Sequence, residues 1–169
     1  MKKTLILVRH AAAEDQKMLG RDFDRELVEK GERDAVTMGK WLAEKNIYPD
    51  GFISSSAARA SQTAVIMADQ LRFSPVDIVP EKVLYDGGPR GYMSVVNAIP
   101  ADREVVGLFG HNPDISYFAE YLCDKNLSSM SKCSIVILEF DNLEWSDVSG
   151  KTGNFILYQS PKQLRESIQ

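Results

Sequence analysis

Two short apolar runs that each end at a histidine constrain this sequence most. The first covers residues 4–8 and leads into Arg9 and His10, and the second covers residues 105–109 and leads through Gly110 to His111. A continuous apolar run of this length is typical of a strand buried on both faces of a parallel sheet. Ligands of open α/β sheets bind outside the carboxyl ends of the strands. The sequence therefore predicts that its only two histidines face one site.

Apolar runs and amphipathic helical patterns alternate along most of the chain. Strands are expected at residues 4–8, 51–54, 76–79, 104–109, 133–140 and 154–160, and helices at residues 31–46, 58–71, 93–99, 113–123 and, as a short tail, 161–169. The alternation predicts an α/β fold, a three-layer α/β/α sandwich with a mostly parallel sheet. The last two strands have no helix between them, so an antiparallel edge is expected. No linker or repeat divides residues 1–169, which indicates a single domain.

The spacing of apolar residues also predicts which helix faces are buried. In the first long helix these are Ala35, Met38, Trp41 and Leu42, and in the second they are Ala64, Val65, Ala68 and Leu71. Residues 11–30 lack such spacing and are predicted to be irregular, a length that is usually functional or mobile. Residues 86–91 are predicted as a loop and residues 141–153 as a polar turn. Caps are expected at Ser55 and Ser56 before the second helix and at Asn112, with Pro113 as the first helical residue.

Composition restricts the classes of function. A net charge of −4 argues against nucleic-acid binding, which needs a cationic face, but it is compatible with a small positive pocket. The N-terminal apolar stretch is five residues long and ends at Arg9 and His10, whereas a signal peptide needs ~7–15 apolar residues. We therefore expect a cytoplasmic protein without a membrane partner.

The two cysteines do not indicate a metal centre. Cys123 and Cys133 lack the spacing of a zinc motif, and two histidines add few further ligands. Buried free thiols are the expected state. Signatures of a dinucleotide site, of a Gly-Lys-[Ser/Thr] phosphate loop and of a Gly-x-Ser-x-Gly nucleophile elbow are absent from the sequence.

Three strand ends carry side chains suited to a transferring phosphoryl group. A neutral imidazole is a nucleophile, and Arg9 beside His10 lowers the histidine pKa by disfavouring a second positive charge. Arg59 falls in the first turn of a helix, where anions bind and a guanidinium grips two phosphate oxygens. His111 lies at the start of another helix. Each feature also has a plain structural reading, namely an exposed strand end, a solvated arginine and a capping loop.

Taken together, these residues resemble a known family. Leu7-Val8-Arg9-His10, Arg59-Ala60-Ser61-Gln62-Thr63 and Gly110-His111-Asn112-Pro113 resemble the motifs of the histidine phosphatase superfamily, which has a phosphoglycerate mutase-like fold. The short chain is similar to its bacterial phosphohistidine phosphatases. Residues 24–31 resemble the family segment Arg-x-Leu-Thr-x-x-Gly. The chain departs from the family pattern at three positions, Ala11 for glycine, Val28 for threonine and Ser56 for proline.

The resemblance implies roles for individual residues. His10 is expected to be phosphorylated transiently, while Arg9, Arg59 and His111 bind the phosphate and stabilise the transition state without metal or cofactor. Arg25 is expected as a further phosphate contact.

A general acid is expected at Glu81, near the place where larger relatives carry one, although a solvated loop residue is an equal alternative. Asp86 and Asp114 are other candidates. A general acid contributes ~10²–10⁴ in rate when the leaving group is an alkoxide, and a departing imidazole needs less help.

Three functions follow from the sequence. The first is a phosphatase for phosphohistidine in a signalling or phosphotransfer protein, favoured because the 63–110 interval leaves little room for a large lid. The second is the same chemistry on a small phosphorylated metabolite. The third is a non-catalytic module that binds phosphorylated ligands, which the presence of His10 and all the arginines disfavours.

Overall fold

A six-stranded mixed sheet lies between two layers of helices in the computed structural model, which describes residues 1–167. The strands are β1 (Lys2–Arg9), β2 (Gly51–Ser55), β3 (Val79–Glu81), β4 (Val105–Gly110), β5 (Ile135–Asp141) and β6 (Asn154–Gln159). Their order is β3-β2-β4-β1-β5-β6. The first four are parallel, and β5 and β6 run antiparallel to their neighbours. The predicted α/β sandwich with an antiparallel edge is confirmed.

Within the described residues, six α-helices cover the sheet. They are α1 (Glu29–Glu44), α2 (Ala58–Gln70), α3 (Val83–Asp86), α4 (Gly88–Asn97), α5 (Asp114–Cys123) and α6 (Pro161–Ser167), of which the last ends where the described residues end. Alternate residues of β1 feed two separate cores, as the two-residue period of a strand requires. Leu5 and Leu7 pack on the side of α3, α4 and α5, whereas Ile6 and Val8 pack on the side of α1 and α2.

The predicted buried face of α1 is confirmed, and that of α2 needs one correction. Ala64, Ala68 and Leu71 are buried, but Val65 is 41% exposed. The buried stripe of α2 also includes Met67. Val65 lies about 100° round the helix from Ala64, because each residue turns an α-helix by that angle, and it therefore faces outward.

The loop predicted for residues 86–91 is wrong. Asp86 ends α3, and α4 begins two residues later at Gly88. Gly88 has φ of +66°, a left-handed conformation that glycine adopts without strain. Pro89 lies in the first turn of α4, where its missing N–H has no partner to lose. Both residues signal a helix start here rather than a loop.

Two other boundaries differ from expectation. The strand predicted at residues 76–79 is a 3₁₀ turn (Pro75–Asp77) followed by β3, whose Pro80 is tolerated because β3 lies at the sheet edge. Helix α5 begins at Asp114 rather than Pro113, after a cis Asn112–Pro113 bond. The Asn112 side chain does not cap the backbone, because its Oδ1 accepts the Ser116 hydroxyl at 2.5 Å. Its Nδ2 donates to the carbonyl of Met130 at 2.8 Å.

Three further features concern the cysteines, the turn at residues 141–153 and the length of the helices. Both cysteines are buried free thiols, as expected. The polar turn at residues 141–153 also contributes to the core, since Trp145 is 1% exposed. Within residues 1–167, no helix is long and apolar enough to cross a membrane.

Candidate active site

The two histidines lie together at the carboxyl end of the sheet. β1 and β4 are parallel neighbours, and their register pairs Arg9 with Gly110, so His10 and His111 leave the sheet side by side. Their ring centroids are 5.3 Å apart. The structure thus brings together the pair that the sequence predicted, and both side chains are buried.

Hydrogen bonding determines the tautomer of His10. Its Nδ1 lies 2.7 Å from the carbonyl oxygen of Ala11. A carbonyl oxygen only accepts, so Nδ1 carries the hydrogen and Nε2 carries the lone pair. The lone pair of the His10 ring is therefore on Nε2.

His10 is uncharged at neutral pH. Burial, as the largest cause, and the positive charges of Arg59, Arg9 and Arg25 together lower the pKa of His10 to about 4, against the opposing effect of the Ala11 carbonyl. A neutral imidazole is the form that attacks a phosphoryl group.

The segment after β1 is tied to two helices. The N–H of Ala11 donates to Thr63 Oγ1 at 3.0 Å, and that hydroxyl donates to the carbonyl of Arg59 at 2.7 Å. A side chain at Gly31 would overlap the carbonyl oxygen of Ala12. The glycine that closes the family-like segment is therefore required by the close approach of α1 to the chain beyond His10.

Arg9 and Arg59 keep donors available beside the histidines. Arg59, the second residue of α2, uses Nη1 for the Asp22 carbonyl at 2.7 Å and Nη2 for Asp22 Oδ2 at 3.0 Å. Arg9 uses Nη1 for the carbonyl of Met130 at 2.9 Å. In both arginines the buried Nε has no hydrogen-bond partner within residues 1–167. Two guanidinium groups are thus placed to receive an anion.

Asp22 is the main site residue that sequence reasoning missed. Its carboxylate also accepts from Arg25 Nε at 2.9 Å and from the Tyr85 hydroxyl at 2.8 Å. Partial burial raises its pKa, but the hydrogen bonds from Tyr85 and Arg59 outweigh this and hold the pKa at about 2. The spacing of Asp22 three residues before Arg25 was the available signal.

Arg25, predicted as a phosphate contact, is largely engaged within its own loop. Besides the Asp22 bond, its Nη1 donates to the carbonyl of Glu14 at 2.6 Å. Its charge still reaches the site, because it contributes to the lowered pKa of His10. A direct phosphate contact by Arg25 stays a prediction.

The partners of His111 leave one ring nitrogen free. Nε2 lies 2.8 Å from Ser55 Oγ, which itself accepts the N–H of Ala57 at 3.2 Å. When the Ser55 hydroxyl donates to Nε2, the ring hydrogen lies on Nδ1. Nδ1 is buried with no partner in the part of the chain that is described. In that tautomer His111 presents an N–H donor.

His111 is also neutral, and the Tyr85 ring packs against it. Burial, as the largest cause, together with His10 and Arg59 lowers the pKa of His111 to about 3, against the opposing effect of Asp22. The Tyr85 ring meets it edge-on at a centroid distance of 5.5 Å. No feature of the sequence identified Tyr85 as a residue of this site.

Tyr92 positions the backbone of His111. Its hydroxyl accepts the backbone N–H of His111 at 2.9 Å and donates to the carbonyl of Leu84 at 3.1 Å. A side chain at Gly110 would overlap this hydroxyl. The Gly110-His111 pair is therefore a packing requirement as well as a motif.

None of the predicted acid candidates forms a hydrogen bond with either histidine ring within residues 1–167. Glu81 pairs with Ser55 in the sheet register, yet it lines a cavity of about 390 Å³ with residues such as Gly51 and Arg103 at the opposite strand ends. Among residues 1–167 no hydrogen bond joins Glu81 to the site. Asp86 pairs with Lys82 at 3.9 Å, and Asp114 begins α5. The role of Glu81 stays a prediction.

Metal-binding side chains do not cluster in this site. In the described part of the chain, no group of three or more His, Cys, Asp or Glu side chains is placed to hold a metal ion. The groups assembled here are two neutral imidazoles, a buried arginine, a half-buried arginine and one carboxylate. Such a set can bind an oxyanion and supply a nitrogen nucleophile.

Comparison with known proteins agrees with this geometry. The family model of the histidine phosphatase superfamily (branch 1) matches residues 5–84. An uncharacterized protein of Picosynechococcus sp. is 30% identical over 123 residues, which cover 69% of this chain and 70% of that protein.

Solved structures extend the likeness over nearly the whole chain. A protein of Nakamurella multipartitia described as phosphohistidine phosphatase SixA is 29% identical with a TM-score of 0.80, covering 95% of this chain and 97% of that chain. Its counterpart from Agrobacterium tumefaciens is 26% identical with a TM-score of 0.79, covering 94% and 98%. These likenesses support a phosphatase activity. Motifs, sheet topology and relatives thus agree, and the chain belongs to the histidine phosphatase superfamily, with a SixA-like architecture.

Proposed function

We propose that the protein removes phosphate from phosphohistidine on a signalling or phosphotransfer protein, through a transient phosphohistidine on His10. The observation that carries this proposal is the state of His10, whose neutral ring presents an unshared Nε2 lone pair between Arg9, Arg59 and His111. The SixA-type neighbours, described as phosphohistidine phosphatases, support the choice of substrate.

The first step transfers the phosphoryl group to the enzyme. Its oxygens bind Arg9, Arg59 and the Nδ1–H of His111, and His10 Nε2 attacks phosphorus. A P–N bond forms to His10 while the P–N bond to the substrate breaks. The electron pair stays on the substrate nitrogen, which takes a proton from water. Phosphoryl transfer needs positioning and charge neutralisation above all, and the guanidinium groups supply both.

The second step restores the enzyme. Water attacks the phosphorus of phosphorylated His10, the P–N bond breaks, and its electron pair returns to Nε2. The water protons leave with inorganic phosphate and solvent. Neither step requires a metal or a cofactor, and we propose that the enzyme is metal-independent.

The surroundings of the site favour P–N over P–O substrates. Asp22 is the carboxylate bonded to Arg59, and its pKa of about 2 keeps it ionised, so it has no proton to give. Glu81 has no hydrogen bond to the site within residues 1–167. An alkoxide leaving group would lose the ~10²–10⁴ in rate that a general acid contributes, whereas imidazole leaves more easily.

The proposed partner is a phosphohistidine-containing protein in the cytoplasm. A net charge of −4 disfavours nucleic acid as a partner. A small phosphorylated metabolite is the alternative substrate that the test must separate.

The test is phosphate release from a phosphohistidine-bearing carrier protein, measured beside a panel of small phosphate esters in the presence of EDTA. The enzymes are wild type, His10→Ala, Arg59→Ala and, as a matched control, Arg33→Ala, which removes an exposed arginine paired with Glu29. We expect fast release from the carrier by wild type and the control, and none from His10→Ala. Preference for one ester would overturn the proposal in favour of metabolism, and binding without turnover would leave a phospho-ligand module.

A further inference from the structure

A cationic cavity lies directly beside the proposed catalytic pocket. Its volume is about 360 Å³. Five cationic side chains and one carboxylate line it, namely Arg9, Lys30, Lys132, Lys162, Arg165 and Asp34. The whole chain is acidic, with 24 carboxylates against 20 cations, so this concentration of positive charge is local. Such a concave cationic surface attracts anions.

Three parts of the fold build this cavity. Lys30 is the second residue of α1, Lys132 precedes β5, and Lys162 belongs to α6. An ion pair of 3.0 Å between Arg165 Nη1 and Asp34 Oδ1 fastens α6 to α1. The cavity is therefore a product of tertiary packing rather than a run of basic residues.

Most of the charge in this cavity is uncompensated. Asp34 is committed to Arg165, and Lys162 has only a loose contact of 3.9 Å with Glu166, both side chains being largely exposed. Lys30 and Lys132 form no ion pair within the described residues. The cavity can therefore accept further negative charge.

Arg9 connects the cavity to the proposed reaction. It lines the cavity, and it also directly precedes His10 at the end of β1. An anionic group bound in the cavity therefore lies alongside the phosphoryl group of a bound substrate.

We propose that this cavity binds carboxylates on the substrate protein next to its phosphohistidine, an inference that rests on the proposed function. Lys30, Lys132 and Lys162 are exposed, so they are accessible to the surface of another protein. Ammonium groups on flexible stems act as point charges and accept carboxylates in varied positions, as a protein surface presents them. Charge pairs of this kind act mainly on the rate of encounter and on the choice of partner.

The test separates substrate docking from chemistry. The cavity variant replaces Lys30, Lys132 and Lys162 by glutamine, and the control variant makes the same charge change at the exposed Lys40, Lys45 and Lys125. For the cavity variant we expect kcat/KM on a phosphohistidine carrier protein to fall about tenfold, mostly through KM, since each exposed pair contributes modestly. Turnover of para-nitrophenyl phosphate should stay within about twofold, which also shows that the variant folds.

A binding measurement keeps this proposal distinct from the proposed function. Fluorescence anisotropy of a labelled hexaglutamate peptide at low salt should show binding to wild type and control, and about tenfold weaker binding to the cavity variant. Equal affinity of the peptide for all three proteins, or an equal loss of affinity in both variants, would overturn the proposal that this cavity binds carboxylates. Absence of phosphate release from carriers by wild type would instead refute the proposed function, whatever the peptide shows.

Discussion

At the scale of single residues, burial determines the protonation of both histidines. Isolated imidazoles titrate near pH 6.5, but His10 and His111 lie in the protein interior beside Arg59, and their pKa values fall to about 4 and about 3. Charging either ring would require a second positive charge beside the arginines in a dry environment. Both rings are thus neutral at neutral pH because the fold buries them beside cationic side chains.

A titration can check these protonation states directly. Since the chain has two histidines, the ring resonances are assigned by NMR with a single His111→Asn variant. We expect no titration of the His10 ring between pH 8 and about pH 5, because its pKa is lowered to about 4. The protein unfolded in urea serves as control, with both rings titrating at about pH 6.5. A midpoint near pH 6.5 in the folded protein would contradict the neutral site.

Asp22 provides a second test among single residues. Asp22→Ala removes the acceptor of Arg59 Nη2, Arg25 Nε and the Tyr85 hydroxyl, so the orientation of Arg59, which we propose binds the phosphate, loosens. We expect kcat/KM for a small ester to fall about tenfold, the value of one charge-assisted hydrogen bond.

The matched control for this substitution lies in the same short 3₁₀ turn, Asp22–Asp24. Asp24→Ala removes an exposed carboxylate that is 3.7 Å from Arg21 and should leave the rate unchanged. An increase in rate on Asp22→Ala would show that this carboxylate competes with phosphate instead of positioning Arg59.

At the scale of elements, close packing of a helix against the chain beyond a strand shapes the site. α1 passes so near the segment after β1 that its Gly31 leaves room for the Ala12 carbonyl. That carbonyl also accepts the N–H of Val28 at 3.0 Å. The approach of α1 thus holds the backbone next to His10.

Gly31→Ala tests this packing, because helix propensity and close packing predict opposite changes in the free energy of unfolding. Helix propensity alone would stabilise the variant by about 1 kcal/mol. Overlap with a backbone oxygen cannot be relieved by a rotamer change, so we expect a net loss of about 1–3 kcal/mol in the free energy of unfolding. Urea unfolding monitored by circular dichroism measures it, and a stabilised variant would show that the segment after His10 yields easily.

At the scale of the whole molecule, the buried histidines couple stability to pH. Their pKa values are lower in the folded state than the 6.5 expected when unfolded. Above pH 6.5 both states are neutral and the stability is fully present. As the pH falls from 6.5 towards 4, the unfolded chain binds protons that the folded protein excludes, and stability is lost.

Urea unfolding at several pH values measures this coupling. Between pH 6.5 and 5 we expect the free energy of unfolding to fall by about 1.5 kcal/mol for each buried histidine. His10→Gln should lose about half of this dependence, since it leaves His111 as the remaining histidine. A profile that is flat over this range in wild type would contradict the lowered pKa values.

The sequence alone determined the framework of the site. The apolar runs that end at His10 and His111 predicted two buried strands of a parallel sheet with both histidines at its carboxyl edge, and β1 and β4 confirm this. Arg59 in the first turn of a helix after a strand was equally readable. Such features depend on local spacing, and residues close in sequence determine them.

Tertiary structure decided what no local pattern contains. Asp22 meets Arg59 and Tyr85 across 37 and 63 positions of the chain, and the cationic cavity joins α1, the segment before β5 and α6. Glu81 lies on the edge strand β3 and lines a different cavity. No sequence motif around Glu81 indicated this position. Spacing along the chain specifies which groups reach a strand end, but hydrogen bonds and charges act through space, and only the packed fold determines which of them meet.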